Sequence, residues 1–103
     1  MATADEVRAV LQQHVRDPEI MINVVDLGLI YDIQVDDQTR VASIDMTLTS
    51  PGCPAGPQLI RDVKFYVKEM LPELSDVRVN IVWTPMWNPD MMSEAAKEEL
   101  GFF

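Results

Sequence analysis

The strongest constraint on the fold is a change of hydrophobic period across the loop at residues 49–54, which reads TSPGCP. Before this loop, apolar and polar residues alternate from Val41 to Thr49, a pattern typical of a strand covered on one side only. After it, apolar residues recur at helical spacing from Ala55 to Leu71. The sequence therefore predicts a strand joined by a short loop to a long helix, with the polar strand face left to solvent or to a partner.

The segments before this unit predict a helix and a β-hairpin. Thr3 and Glu6 fit a capping box, which predicts a first helix from Ala4 to His14. A strand from Ile30 to Val35, with Tyr31 on the face of Ile33, precedes a turn at residues 36–39. The turn leads directly into the Val41 strand.

The segments after the long helix complete the fold. Residues 77–83 alternate as a third strand, and Ser93 and Gly101 mark the ends of a short C-terminal helix. A strand–helix–strand crossover within one sheet makes the second and third strands parallel. We therefore predict one small two-layer α/β (α+β) domain over residues 1–103, in the order α-β-β-α-β, with a three-stranded mixed sheet and the C-terminal helix.

Charge and composition exclude several classes of function. The net charge of −9 argues against nucleic-acid binding, because an acidic surface repels phosphates. The chain has no apolar run long enough to span a membrane. Its single cysteine cannot form an internal disulfide, and its first residues lack a signal-peptide pattern, so we expect a cytoplasmic protein.

The single cysteine, Cys53, is the main candidate for chemistry. Pro54 suits the first position of a helix, which would place Cys53 at or beside the N-cap, where free backbone N–H groups favour an ionised thiol. Gly52 would remove bulk beside the sulfur. Cysteine–histidine catalysis is disfavoured because the only histidine, His14, lies on the first helix. The alternative is a loop in which a small apolar residue happens to be cysteine.

A lone thiolate also limits what metal chemistry is available. An iron–sulfur cluster usually takes four thiolate ligands, whereas one chain offers one and a dimer offers two. Any cluster would be incompletely ligated by protein, which suits a carrier or delivery factor better than an electron-transfer protein.

Polar and aromatic residues outside the cysteine loop provide further candidates. The carboxylates of Asp17, Glu19 and Asp26 are either turn caps or functional groups, and capping is the favoured interpretation. A stiff aromatic segment runs from Trp83 to Trp87. Phe102 and Phe103 end the chain, and we expect them to dock on the core or at a dimer contact.

Four blocks of this sequence together resemble a known family. They are Asp17-Pro18-Glu19, VDLGLIYD at residues 25–32, MTLTSPGCP at residues 46–54 and NIVWTPMW at residues 80–87. The chain resembles the PaaD/SufT-like iron–sulfur cluster assembly domain family, and most of all its stand-alone bacterial SufT branch. The same domain occurs in the eukaryotic cytosolic iron–sulfur targeting factor. Met21 is a departure, since relatives often carry a small residue or proline there.

This resemblance implies an accessory factor in iron–sulfur cluster assembly or delivery rather than an enzyme. It implies Cys53 as a transient iron or cluster ligand, with Asp17, Glu19, Asp26 and Thr49 around it or in contact with a client. The implied partners are iron–sulfur assembly proteins and client apoproteins, and a homodimer stays open. The alternative is a pure protein–protein adaptor, in which Trp83, Trp87 and the polar strand face bind partners and Cys53 only packs.

Overall fold

The N-terminal helix forms where its capping residues predict it. A computed structural model of the protein describes residues 2–101, so Phe102 and Phe103 lie outside the described residues. Helix α1 spans Ala4–His14, and the Thr3 hydroxyl accepts a hydrogen bond from the Glu6 N–H at 3.2 Å. At its other end, the ring of His14 stacks on Tyr66, with ring centroids 5.4 Å apart, and so ties α1 to the next helix.

Strands β1 and β2 form the predicted antiparallel hairpin. Strand β1 spans Ile30–Asp36 and β2 spans Val41–Met46. The Asp36 carboxylate accepts from the backbone N–H groups of Thr39 and Gln38 in the turn. These two bonds lower the pKa of Asp36, and the bond from Thr39 has the larger effect. The turn therefore carries its own stabilising contacts.

A β-bulge alters one predicted feature of β1. Ile30 lies opposite Met46 and Ile33 lies opposite Ile44, and the register shifts between Ile30 and Asp32. Tyr31 is the extra residue of this bulge. Contrary to the prediction, it therefore does not share the regular alternation with Ile33. The bulge allows both Ile30 and Ile33 to be buried although they are three residues apart.

The crossover produces a mixed three-stranded sheet, as predicted. Helix α2 spans Gly56–Met70 and strand β3 spans Asp76–Ile81. Strand β3 pairs parallel with β2, which gives the strand order β1-β2-β3. Strand β2 is shorter than the predicted Val41 to Thr49, because after Met46 the chain leaves the ladder and Thr47 donates its N–H to Leu29 O at 2.8 Å.

The core lies between the sheet and two helices. Helix α1 packs on β1 and α2, and α2 packs on β3. Fully buried side chains from both layers form it, among them Val7, Leu11, Ile44, Met46, Leu59, Val63 and Val67. On the other face of the sheet, Gln34 and Asn80 are exposed and Ser43 is half-buried. The two-layer prediction is confirmed.

The C-terminal segment returns across one end of the sheet. After β3 it forms a 3₁₀ turn at Pro89–Met91 and helix α3 at Glu94–Leu100. Ser93 caps α3, and Gly101 ends it in the left-handed region with φ of 79°, both as predicted. The Ser93 N–H donates to Asp26 O at 2.7 Å. Within residues 2–101, the helices are too short or too polar to cross a membrane.

Candidate functional site

The cysteine loop lies at the end of the sheet where several chain segments meet. Strands β2 and β3 are parallel, so both carboxyl ends are at this edge, together with the start of the antiparallel β1. The Val82 N–H donates to Met46 O at 2.8 Å and so fixes the two carboxyl ends side by side. The loop from Thr47 to Ala55 therefore leaves the sheet at the joined carboxyl ends of β2 and β3.

Helix α2 begins later than predicted. Its N-cap is Ala55, and the proline in its first turn is Pro57 rather than Pro54. Cys53 is therefore not the N-cap residue, which corrects the sequence prediction. The shift has a packing reason, because a Cβ atom on Gly56 would lie 2.8 Å from Leu48 Cδ1. Gly56 lets the first turn of α2 approach Leu48 closely, so the helix starts there.

Two backbone hydrogen bonds hold Cys53 in a turn. Its N–H donates to Ser50 O at 3.1 Å, and its carbonyl oxygen accepts from the Gly56 N–H at 3.2 Å. The side chain is half-buried and packs against the hydrophobic core. Within residues 2–101, Sγ has no hydrogen-bond donor or acceptor. The backbone N–H groups predicted to hold the sulfur ionised therefore do not contact it.

The surroundings of Cys53 leave it accessible on one side. Gly52 is exposed, and a Cβ atom added there would have nothing within 4 Å. Thr49 is half-buried, and its hydroxyl makes no hydrogen bond to another described residue. The thiol is thus an unpaired soft donor beside open space.

Thr47 is a polar residue of this loop that sequence reasoning placed on the open face of the strand. It is instead fully buried, and its Oγ1 is the one buried side-chain nitrogen or oxygen without a partner among the described residues. The alternation of β2 gave no sign of this, because β2 ends at Met46 and the Thr47 N–H bonds to Leu29 O instead of continuing the ladder. The Thr47 hydroxyl is thus buried without a hydrogen bond among the described residues.

Asp17 forms the turn after α1. It is 2% exposed, and its Oδ1 accepts from the N–H groups of Glu19 at 2.8 Å and Ile20 at 3.2 Å. This is the capping role favoured from the sequence. Glu19 is exposed, and its side chain makes no hydrogen bond or ion pair within residues 2–101. Met21 donates its N–H to Asp17 O and adopts a left-handed φ of 67°, a conformation that glycine adopts most readily and proline cannot adopt.

Asp26 belongs to the next turn. Its Oδ2 accepts from Asn23 Nδ2 at 2.6 Å, and its N–H donates to Asn23 Oδ1 at 2.8 Å. Asn23, which the sequence interpretation did not select, is thus the reciprocal partner of Asp26. An Asn three residues before an Asp is the signal that would have suggested this pair.

The two tryptophans differ in their surroundings. The Trp87 indole N–H donates to Leu27 O at 2.6 Å, and the ring packs against the core. Trp83 is 40% exposed. The Tyr31 hydroxyl donates to Pro85 O at 2.6 Å, so the bulge residue also anchors this segment. Of the two predicted partner-binding residues, Trp83 presents a free surface and Trp87 serves the fold.

The structure does not gather the predicted residues into one metal-binding cluster. Across residues 2–101, no group of three or more His, Cys, Asp or Glu side chains converges on a point where an ion would fit. Cys53 offers a thiolate, which is a suitable ligand for iron. The donor set therefore fits a single attachment point for iron or a cluster and does not fit a complete protein cage.

Comparisons with known proteins identify the family of this chain. Residues 4–81 match the family model described as iron-sulfur cluster assembly protein. The Fe-S protein maturation auxiliary factor SufT of Staphylococcus aureus (strain USA300) is 55% identical over 82% of this chain and 94% of its own length. The auxiliary factor YitW of Bacillus subtilis (strain 168) is 43% identical over 97% of this chain and 95% of its own length.

A solved structure supports the same conclusion. The chain is similar to a Bacillus anthracis domain of unknown function, with a TM-score of 0.91 and 40% sequence identity over 97% of this chain and 92% of that one. The resemblance inferred from the four sequence blocks is confirmed. The chain belongs to the iron–sulfur cluster assembly protein family.

Proposed function

We propose that this protein is an accessory factor in iron–sulfur protein maturation, with Cys53 as a transient attachment point for iron or a cluster. The single observation that carries the proposal is the position of Cys53: an unpaired, half-exposed thiol in a loop at the carboxyl ends of β2 and β3. The names of the relatives, auxiliary factors of Fe-S protein maturation, support the accessory role.

The proposed chemistry is a ligand exchange. The Cys53 thiol loses its proton to solvent, and the thiolate forms one bond to iron while a weaker ligand leaves, so iron keeps its oxidation state. The other ligands come from sulfide, a small thiol or the client apoprotein, because the chain has one cysteine and residues 2–101 contain no group of three or more His, Cys, Asp or Glu side chains that could hold a metal ion. Incomplete ligation favours release, which a delivery factor needs.

The proposed role is not catalytic, and the acidic residues have no ligand role in it. Asp17 and Asp26 already accept hydrogen bonds within their own turns. Glu19, which is exposed, is the acidic residue of this group that is available to contact a client or an assembly protein. We place the role in the cytoplasm, where a lone thiol stays reduced.

Anaerobic loading tests the ligand role. Wild type, Cys53→Ser and the loop control Thr49→Val would each receive ferrous iron and sulfide, followed by desalting, metal analysis and visible absorption. We expect wild type and Thr49→Val to retain iron with sulfide-to-iron absorption, and Cys53→Ser to retain none. Equal iron and equal spectra in wild type and Cys53→Ser would overturn the proposal.

A second candidate function is an adaptor without metal ligation, which the exposure of Trp83 and of Met86, at 62%, favours. In this case Trp83 binds a client and Cys53 only packs. Complementation separates the two: Cys53→Ala would rescue a strain lacking the protein if it is an adaptor and fail if it is a carrier. Trp83→Ala would fail in the adaptor case.

A further inference from the structure

We propose that the outer edge of β3 is a docking site for an extended, acidic peptide segment of a partner protein, which would add a fourth strand to the sheet. This site is separate from Cys53 and from Trp83–Trp87. The proposal depends on the unpaired backbone of β3, on the apolar side chains of that strand, and on the cations beside it.

The outer edge of β3 carries free backbone groups. Strand β3 is at the end of the strand order, and its in-register ladder with β2 runs from Asp76 to Ile81. The Val82 N–H points to β2, so the two-residue period of the ladder turns the backbone groups of Val77, Val79 and Ile81 outward. In the part of the chain that the structure describes, no other segment donates to or accepts from these three residues. The C-terminal segment does not cover this edge, because it returns to Asp26 and Leu27.

The side chains of the same three residues form an apolar stripe that is incompletely covered. Val77 is buried, and Val79 and Ile81 are half-buried. A strand whose core-facing residues stay half-exposed lacks a neighbour on that side. An added strand with apolar residues at alternate positions would cover them.

The charged side chains beside this edge indicate which kind of peptide would bind there. Lys64 and Lys68 on α2 line an open depression together with Ser75, Asp76 and Val77 at the start of β3. Arg78 lies on the other face of β3, with its side chain 68% exposed and an ion pair to Asp76 at 3.6 Å. Lys64, Lys68 and Arg78 outnumber the two carboxylates beside β3, those of Asp76 and Asp45, so these groups sum to +1 in a chain whose net charge is −9. A peptide with Asp or Glu at the positions beside these cations complements the site.

A second copy of this chain fits less well. Antiparallel pairing of two β3 strands about Val79 would match Val77 with Ile81 of the other copy. However, it would also set the Lys64 and Lys68 end of one chain against the uncharged Ile81–Trp83 end of the other. It would bring together two chains of net charge −9. Charges beside a free edge also hinder indiscriminate pairing, so the same lysines select for an acidic strand.

Peptide titration of the full-length, isotope-labelled protein tests the proposal. The probe is an end-capped heptapeptide that alternates glutamate and valine. One control peptide has lysine in place of glutamate, and another has N-methyl groups on alternate amides, which removes the edge hydrogen bonds. We expect saturable binding of the acidic peptide, with amide exchange at Val77, Val79 and Ile81 slowed by about tenfold or more.

Protein variants sharpen the test. Arg78→Glu should weaken binding at low salt by about threefold or more, because it reverses a charge on the sheet face that the glutamates of an alternating peptide would occupy. Arg8→Glu, the same charge change on the exposed face of α1, should leave binding within about twofold. The proposal is overturned if the acidic peptide does not bind, if the lysine or N-methyl peptide binds equally, or if exchange slows elsewhere. It is also overturned if sedimentation shows a dimer that already protects these three amides.

Discussion

Two loops carry most of the residues that identify this family, and they are built in opposite ways. In the segment from Asp17 to Leu29, polar side chains are used locally: Asp17 accepts two backbone hydrogen bonds, and Asn23 and Asp26 bond each other. In the loop from Thr47 to Ala55, neither Cys53 nor Thr47 has a side-chain hydrogen bond within residues 2–101. The polar side chains of the first loop therefore stabilise the fold, whereas Cys53 and Thr47 in the second loop have no side-chain hydrogen-bond partner among the described residues.

A family motif therefore does not identify a chemical site by itself. Asp17 and Cys53 are both parts of such motifs. Asp17, however, is almost wholly buried, and its carboxylate accepts hydrogen bonds from its own turn. The C-terminal segment strengthens this contrast, because Trp87 and Ser93 bond to the first loop.

The largest expected effect is that of one substitution made in each loop. In Gly28→Ala, the new Cβ would lie 2.3 Å from Met91 O at a residue with φ of +79°, so we expect a loss of about 3 kcal/mol or more in the free energy of unfolding. In Gly52→Ala, the Cβ meets nothing within 4 Å, so we expect a change within about 1 kcal/mol. Urea unfolding of both variants checks the comparison, and equal losses would remove it.

The next effect concerns Asp17. Asp17→Ala leaves two backbone N–H groups of a buried turn without an acceptor, and should lower the free energy of unfolding by about 2 kcal/mol. Asp17→Asn keeps an acceptor oxygen and should recover most of this loss. Thermal unfolding of the two variants measures it. A loss in Asp17→Asn as large as in Asp17→Ala would show that the negative charge, and not the turn, is what matters.

A smaller effect is expected at Trp87. Trp87→Phe removes the indole donor to Leu27 O while keeping an aromatic ring against the core, so we expect a loss of about 1 kcal/mol. Trp83→Phe, at an exposed position, serves as the matched control and should be close to neutral. Chemical unfolding of both proteins provides the measurement, and the reverse order would contradict the assignment of Trp87 to the fold.

The smallest effect has the opposite sign. Thr47→Val replaces a buried hydroxyl that lacks a partner with a methyl group of similar size, so stability should stay level or rise by up to about 1 kcal/mol. A loss well above this, seen in the unfolding midpoint, would mean that the hydroxyl has a partner in solution.

The sequence predicted the elements of this fold because their signals are local. The Thr3 cap of α1, the alternation of β2 as far as Met46 and the Ser93–Gly101 limits of α3 appear as predicted. The prediction that Pro54 opens α2 was wrong, since two prolines compete there and the choice depends on the contact between Gly56 and Leu48. That contact joins the loop to the helix, so it cannot be predicted from the hydrophobic periodicity of α2 alone.

The site was predictable only in part, for the same reason. The uniqueness of Cys53 selected it directly from the sequence, and capping chemistry favoured the turn role of Asp17. The burial of Thr47, the bulge at Tyr31 and the anchoring of Trp87 all depend on residues more than ten positions away. Long-range contacts of this kind are set by packing and not by any local pattern.

The most direct test of the account compares iron retention in two variants, one from each loop. Wild type, Cys53→Ser and Asp17→Asn would be loaded anaerobically with ferrous iron and sulfide and examined by native mass spectrometry, which reports iron, sulfur and subunit number together. The account predicts that Asp17→Asn retains iron as wild type does and that Cys53→Ser retains none. Iron retained by Cys53→Ser, or lost from a folded Asp17→Asn, would contradict it.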